Sequence, residues 1–369
     1  MLRLALFTLL QALLSTALAA AVGLCAAFFT ARRSFFLRRF LLSLSSIPLC
    51  LPPLIMALGY VTFFGMSGIA NQWLKALLHT KTSLLTFLYS MKGIVIAQGF
   101  YNFPLVMSTV GASWSHLSPE QGEAARLLGA SEGRIFRTIT LHQLQLSIGS
   151  ACIPIFLFCF FSFMIVLLFG GVGCATLEVE IYRSVNSSLD WHRAFSLAAL
   201  ETGIALCMVA LYCALIEKHA KAAKSARSLR AAPAPRLPLA GSKERLAFAL
   251  FLLAAALFFL APLAGILWNA LTTQQGSLGF ASFARVFSMR SFAAAIRGTC
   301  LTALATGCLC AATAFFYAVF LRSHSRVERL LAFRVLPMLP MALSSVVTGS
   351  LLMLLVRRGN VLLLVLAQT

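Results

Sequence analysis

The side chains that could carry out chemistry in this 369-residue chain are few and far apart. It has one aspartate, Asp190, and six histidines scattered between His79 and His324. Acid–base or nucleophilic catalysis requires several such groups to converge, and no spacing typical of a catalytic triad or a metal set occurs. The ten cysteines contain no C-x-x-C pair and fit small apolar packing residues. We therefore predict that the chain is not an enzyme and holds no metal.

A polar loop, residues 115–146, lies between two apolar segments and carries the clearest local signals. Residues 118–121, Ser-Pro-Glu-Gln, predict a helix start with a capping box, because Ser caps and Pro suits the first turn. Gly129 supplies the left-handed residue that ends this helix, and Ser131 can cap a second short helix. The sequence thus predicts two short helices that bend at Gly129.

The first of these helices has a face of small and apolar side chains, formed by Ala124, Ala125, Leu127 and Leu128. A groove on a cytoplasmic partner could accept that face. The same positions also fit an amphipathic hairpin that lies on the lipid surface. The helix pattern alone favours neither interpretation.

The composition predicts a membrane protein. Hydrophobic residues make up 60% of the chain and charged residues only 11%, which is too apolar for an ordinary soluble protein. About 20 apolar residues are needed to cross the hydrocarbon core of a bilayer. Eight segments qualify: 4–30, 44–65, 94–114, 147–170, 194–216, 246–271, 298–321 and 335–356.

Basic residues are concentrated in alternate loops. Of the 30 Lys and Arg residues, 19 lie in the loops 31–43, 114–146, 217–245 and 322–334. Because cytoplasmic loops are enriched in Lys and Arg, we expect these four loops to be cytoplasmic. The net charge of +20 then reflects membrane topology. Nucleic-acid binding would instead need a basic surface on a folded soluble domain, so we predict no nucleic-acid partner.

The first apolar segment also has features of a secretory signal, with small residues at 17–19 as a cleavage site. The apolar stretch, however, continues to Phe29 and ends in Arg32 and Arg33. This pattern favours a retained membrane span with a basic anchor.

An internal repeat relates residues 12–59 to residues 298–351. Each copy has an apolar span, a basic loop and a second span that contains a proline, with Pro48 matching Pro340. Transporters often contain such repeats, and their solute path lies at the repeat interface. Residues 217–245, between the copies, combine eight basic residues with a proline-rich run and predict a basic cytoplasmic linker that contacts lipid headgroups.

Polar residues inside predicted spans are candidates for a solute pathway, because polar groups in hydrocarbon are costly. The candidates are Glu201, Asn102 and Gln98. Glu201 also lies near enough to the outer end of its span to reach water or to pair with Arg193. The sequence leaves both interpretations open for Glu201.

The polar loop resembles a known signature. Glu123-Ala124-Ala125 is followed after three residues by Gly129, and nine further residues precede Ile139-Thr140-Leu141. This arrangement resembles the loop of permease subunits of binding-protein-dependent ABC importers. The similarity spans about residues 10–216 and is greatest to the fused-repeat permeases for thiamine and iron(III). It extends to the segments 99–104, 160–163, 168–171 and 175–182.

The resemblance implies an all-α polytopic membrane protein with the type I ABC importer permease fold and about eight transmembrane helices. It implies that the loop forms a coupling helix that docks into an ATPase subunit, through Glu123, Ala124, Ala125 and Gly129 with Arg134 and Ile139. One departure is His142, where the family usually has proline. The chain has no G-x-x-x-x-G-K-[ST] motif, so ATP and Mg²⁺ would bind to the partner ATPase and no cofactor to this chain.

The implied function is passage of a solute from an extracytoplasmic binding protein to the cytoplasm, across a bacterial inner membrane, with ATP hydrolysed by an ATPase dimer. Thiamine is the expected solute. The alternatives are an iron(III) permease or a truncated membrane protein that does not transport.

The predicted domains are unequal. Residues 1–216 form a first permease repeat, 217–245 the linker and 246–369 an incomplete second repeat. By the repeat, a counterpart of Glu123 would fall beyond Thr369. A fold with two ATPase sites needs two coupling loops, so we expect a second permease half or a homodimer to supply the other.

Overall fold

The computed structural model describes residues 1–46, 50–171, 174–225, 236–239, 241–272 and 279–323, together with 333, 343–344 and 346–349. In the first part of the chain the helices are α1 (Leu2–Arg32), α2 (Arg38–Ser43), α3 (Pro53–Phe64), α4 (Ile69–Leu78), α5 (Met91–Ser115), α6 (Glu120–Leu127), α7 (Glu132–Ile135), α8 (Leu141–Phe160) and α9 (Phe163–Phe169). They are followed by α10 (Leu177–Asn186), α11 (Trp191–Ser225), α12 (Ser242–Ala255), α13 (Ala261–Leu271), α14 (Ala281–Ser288) and α15 (Arg290–Ser323).

Seven helical segments of the described chain are long and apolar enough to cross a membrane, and they follow the order of the first seven predicted spans. They are Leu2–Arg32, Pro53–Leu78, Met91–Ser115, Glu132–Phe160, Trp191–Glu217, Ser242–Leu271 and Arg290–Ser323. The prediction of an all-α polytopic membrane protein is confirmed. The eighth predicted span, 335–356, and residues 226–235 of the linker fall outside the described residues, apart from 343–344 and 346–349.

The second predicted span, 44–65, is wrong at its start. Its helix begins at Pro53, and Pro52 is the residue that precedes the first turn. A proline lacks the N–H that a helix interior requires and disfavours helical backbone at the residue before it. The two prolines therefore start α3 rather than lying inside a longer helix.

The chain divides into two compact units, residues 1–180 with 207–265 and residues 181–206 with 266–369. In the first unit, α1 and α5 pack closely in the same direction. A Cβ added at Gly99 would lie 2.7 Å from the Leu18 side chain, and one added at Gly23 would lie 2.5 Å from the Val106 Cβ. Because both residue numbers rise together, α1 and α5 are parallel. The two glycines allow this approach, since any larger residue would collide.

Helix α8 packs antiparallel to α5. The Ser147 hydroxyl donates to the Ser113 hydroxyl at 2.7 Å near one end of the pair. Toward the other end, the Asn102 amide donates to the Cys159 sulfur at 3.6 Å. Helix α5 thus packs against both α1 and α8, and most of its residues are buried.

An aromatic core fills the other side of α5. Phe100 stacks on Phe258 with ring centroids 4.9 Å apart, and Phe103 meets Phe259 edge-on at 5.6 Å. Both partners lie in a π-helical turn, Ala256–Leu260, between α12 and α13. The Tyr60 hydroxyl of α3 donates to the Phe258 carbonyl, so the buried phenol has a partner. Within the first unit, this core packs the turn at the end of α12 against α3 and α5.

The end of the linker is attached to the end of α1. Two two-residue strands, β1 (Arg33–Ser34) and β2 (Leu237–Pro238), pair in parallel. The Arg33 guanidinium also forms an ion pair with Glu244, and both side chains are largely shielded from solvent. The described end of the predicted linker is therefore an ordered contact.

The second unit contains α14 and the 34-residue α15, and no residue of α15 is buried in the described chain. The Tyr317 hydroxyl of α15 donates to the Phe333 carbonyl.

The close contact between α1 and α5 makes a prediction about stability. Replacing Gly23 with alanine should lower the stability by about 1–3 kcal/mol, because the new methyl group would overlap Val106 and the Phe103 carbonyl oxygen. The matched change is Gly203→Ala in α11, where a Cβ meets nothing within 4 Å. It should be neutral or slightly stabilising, since alanine favours helix. Thermal unfolding of both variants in detergent measures the difference, and equal melting temperatures would contradict the packing.

Candidate functional site

The polar loop begins with α6, which starts at Glu120. The Glu120 N–H donates to the Ser118 hydroxyl at 3.3 Å, so Ser118 supports the helix start as predicted. The predicted capping box is wrong, because the Gln121 side-chain oxygen accepts from the Gln143 amide at 2.6 Å instead. Gln121 therefore joins α6 to α8 rather than closing its own helix end.

The bend at Gly129 is confirmed. Gly129 has φ of 82°, in the left-handed region. The Ala130 N–H donates to the Ala125 carbonyl at 3.0 Å, and the Gly129 N–H donates to the Arg126 carbonyl at 2.9 Å. This pair of bonds is a Schellman motif, which satisfies the last carbonyls of a helix and needs a residue with positive φ. The glycine four residues after Ala125 therefore ends α6.

The second short helix is not separate, contrary to prediction. The helix α7, a π-helical turn (Phe136–Thr140) and α8 follow each other without a break. Ile139 lies in the π turn, and His142 lies in the first turn of α8. A proline at His142 would remove an N–H that the helix can use, so the departure at this position suits a continuous helix.

Two further contacts hold α6 against this continuous helix, and a third joins the end of α5 to it. The Arg126 guanidinium binds both carboxylate oxygens of Glu132, with the second contact at 3.0 Å. The hydrogen bond from Arg126 to Glu132 raises the pKa of Arg126, so the arginine stays charged. A Cβ at Gly122 would lie 3.7 Å from Ile135, which is buried. The aromatic rings of Trp114 and Phe136 stack at 5.9 Å.

These contacts direct a defined set of side chains outward. Leu127 and Leu128 are 90% and 89% exposed, which is unusual for leucine outside a lipid or partner contact. Of the predicted coupling residues, Glu123, Ala124, Gly129 and Arg134 are exposed, and Ala125 and Ile139 are half-buried. We call Glu123, Ala124, Leu127 and Leu128 the docking surface.

Sequence reasoning missed the Arg126–Glu132 pair. Helix rules consider partners three or four residues apart, whereas these residues are six apart and meet only because the chain reverses at Gly129. The sequence did carry a signal for this ion pair, since a basic and an acidic residue stand on opposite sides of the predicted bend at Gly129.

The candidate pathway residues lie in different units. Gln98 and Asn102 belong to the first unit and are 1% and 2% exposed, while Glu201 belongs to the second unit and is fully buried. The sequence left open that the Glu201 side chain reaches water at the outer end of its span. In the structure this side chain is buried and does not reach solvent. Two further buried polar residues on α1, Gln11 and Ser15, were missed, although a glutamine within an apolar span is itself a signal.

Apolar helices long enough to span a membrane, with an exposed motif on a polar loop between two of them, define a multi-pass membrane protein. Comparison with protein families agrees: residues 20–216 match the family described as binding-protein-dependent transport system inner membrane component. The chain belongs to this family of ABC importer permeases, which has the type I importer permease fold.

Individual relatives each match part of the chain. The thiamine transport system permease protein ThiP of Escherichia coli (strain K12) is 32% identical over 207 residues, which are 56% of this chain and 38% of that protein. ThiP of Brucella abortus (strain 2308) is 31% identical, over 55% of this chain and 37% of that protein. The sulfate transport system permease protein CysW of Synechocystis sp. (strain ATCC 27184 / PCC 6803 / Kazusa) is 33% identical over 138 residues, 37% of this chain and 48% of that protein. The chain thus matches less than half of each relative's length.

The bend at Gly129 can be tested with a matched pair of glycines. No atom lies within 4 Å of a Cβ added at Gly129 or Gly133, and only Gly129 has positive φ. We expect Gly129→Ala to cost about 1 kcal/mol locally, because alanine is strained in that region, and Gly133→Ala to be neutral or stabilising. Amide hydrogen exchange of residues 124–132 reports the difference. Equal protection in the two variants would contradict the role of the bend.

Proposed function

We propose that this chain is the permease subunit of an ABC importer and passes solute from an extracytoplasmic binding protein to the cytoplasm of a bacterium, across the inner membrane. The observation that carries the proposal is the docking surface, because it presents two exposed leucines beside Glu123 and Ala124 of the motif on a polar hairpin. The family and the thiamine-permease relatives support it.

The hairpin suits transmission of movement. Because α7 and α8 are continuous, a displacement of the docking surface reaches a membrane span through helical hydrogen bonds rather than through a loop. The Arg126–Glu132 pair and the contact of Gly122 with Ile135 keep α6 attached to that helix. Helix α8 in turn packs along α5. Movement of a partner at the loop would therefore shift α8 relative to α5.

The partner for this surface would be a cytoplasmic ATPase dimer, which would bind ATP and Mg²⁺. Leu127 and Leu128 would enter an apolar groove, and Glu123, one turn earlier on α6, would meet polar or basic groups at its rim. Ile139 would contribute less, since it is half-buried within the hairpin, whereas Arg134 is exposed and could meet an acidic group of the partner. The second coupling loop would come from another permease half or from a second copy of this chain.

Thiamine is the proposed solute. The thiamine-permease relatives cover more of the chain than the sulfate-permease relative does, at similar identity. The sulfate relative is informative because permeases whose names give different solutes resemble this chain at similar identity. Solute choice would then depend largely on the binding protein. Iron(III) transport and loss of transport remain the alternatives.

The docking assignment is tested by retention of the ATPase subunit of the same transport system on the purified chain. Leu128→Asp and Glu123→Lys should each reduce retention at least about tenfold, because a buried charge or a reversed charge in a docked surface costs more than about 1.4 kcal/mol. Glu120→Lys makes the same charge change one turn earlier on α6, at the edge of the docking surface, and should reduce retention less than Glu123→Lys does. Full retention in both test variants would refute docking and favour the lipid-surface interpretation of the hairpin.

The solute is tested by uptake into proteoliposomes that contain the chain, its ATPase and its binding protein. We expect ATP-dependent uptake of thiamine and none of sulfate or iron(III). Binding of each solute to the isolated binding protein separates specificity from transport. Thiamine binding without uptake would indicate that a further permease half is required, whereas uptake of sulfate or iron(III) alone would exclude thiamine.

A further inference from the structure

Five residues of the first unit bring polar atoms together among apolar helices. We call Gln11 and Ser15 of α1, Gln98 and Asn102 of α5, and Cys159 of α8 the inner polar cluster. The four residues on α1 and α5 are at most 2% exposed, and Cys159 is fully buried. The docking surface does not include this cluster, although Asn102 lies within segment 99–104 of the family resemblance.

Contacts place the members side by side. The Gln11 amide donates to the Cys159 carbonyl at 2.9 Å, and the Asn102 amide donates to the Cys159 sulfur at 3.6 Å. Ser15 is one helical turn from Gln11, and Gln98 is one turn from Asn102. Since α1 and α5 are parallel and Leu18 meets Gly99, Ser15 lies at the level of Gln98. Three helices therefore meet at the cluster.

Several polar atoms of the cluster have no hydrogen-bond partner within the described part of the chain. They are the side-chain oxygens of Gln11, Ser15 and Asn102 and both amide atoms of Gln98. Amide orientation does not change this count: Gln11 and Asn102 donate to carbonyls through nitrogen, and Gln98 lacks partners at both ends. Leaving a buried polar group without a partner is unfavourable, so five such atoms in one place indicate a bound ligand.

The chemistry of these atoms selects the ligand. The side-chain oxygens require a donor, whereas the Gln98 N–H groups require an acceptor. A metal cation would satisfy the oxygens and leave the Gln98 N–H groups without an acceptor. An anion would accept from the Gln98 N–H groups, but it would leave the side-chain oxygens without a donor and would be repelled by them. Water both donates and accepts, and it adds no charge to a buried site.

We propose that the inner polar cluster is a binding site for ordered water that bridges α1 and α5 beside Cys159 of α8. Buried waters typically make about three hydrogen bonds to such groups, and the cluster supplies them from two helices at one level. The site lies about 20 Å from the end of α5 that leads into the docking hairpin, at 1.5 Å per residue. The inference does not depend on the proposed transport function.

Radiolytic hydroxyl-radical labelling of the purified full-length chain, read by mass spectrometry, tests the site directly. Radicals formed from a bound water oxidise the side chains beside it even where bulk solvent has no access. Cys159 and Met56 are both fully buried and both carry reactive sulfur, but only Cys159 belongs to the cluster. We expect Cys159 to be oxidised severalfold more than Met56. Equal labelling of the two would overturn the proposal.

Two variants give independent evidence. Gln98→Met keeps the length of the side chain and removes both amide atoms, so Cys159 labelling should fall severalfold while Met56 labelling stays unchanged. Gln145→Met, at an exposed position of α8, is the matched control and should leave Cys159 labelling as it is. If Gln98→Met fails to fold, Ser15→Ala serves as a smaller change at the same site. It should also lower Cys159 labelling. Unchanged labelling in the folded variants would refute the site.

A solute arm identifies the occupant. Labelling is repeated with thiamine, sulfate or iron(III) added to the chain alone. If water occupies the site, none of these solutes should change Cys159 labelling. Protection of Cys159 by one of them would assign the cluster to that solute and overturn the water assignment. Because the ATPase and binding protein are absent from this experiment, its failure is distinguishable from failure of the proposed transport function.

Discussion

The close approach of α1 and α5 is the contact on which the first unit depends. Lipid supplies no hydrophobic force between helices, so membrane helices associate through van der Waals packing and hydrogen bonds. Gly23 and Gly99 bring the backbones near enough for both: a Cβ at Gly23 would meet the Phe103 carbonyl oxygen at 2.8 Å. With α1 fixed on one side, the remaining surface of α5 accepts α8 and the aromatic core around Phe258.

This packing also sets the position of the docking hairpin. Helices α5 and α8 are antiparallel neighbours, so the residues between them must reverse direction within a short loop. The loop uses that reversal: Gly129 ends α6, and Arg126 then meets Glu132 across the bend. Trp114 at the end of α5 and Phe136 at the start of the next span stack beneath it. The exposed leucines are held outward by contacts on the opposite side of the hairpin.

Much of this architecture follows from the sequence, because composition and periodicity act locally. Seven of the eight apolar segments correspond to helices in the described chain, and the helix-ending glycine of the loop was predictable from its spacing. The errors have physical causes. Two prolines moved the start of α3, a partner on α8 drew Gln121 away from its capping box, and continuous hydrogen bonding joined α7 to α8. Each of these three errors arose because the local sequence pattern did not take neighbouring prolines, a distant partner or the following helix into account.

Sequence alone determined that the chain belongs in a membrane, where its apolar segments lie and which loop carries the Glu-Ala-Ala motif, since these depend on composition and on residues near each other. Tertiary structure decided which polar side chains meet. Gln11 and Asn102 are 91 positions apart and both bind Cys159, and the end of the linker pairs with Arg33. Contacts between side chains so far apart in sequence depend on how far one helix is shifted along the next. Only the packing of whole helices against each other fixes that register.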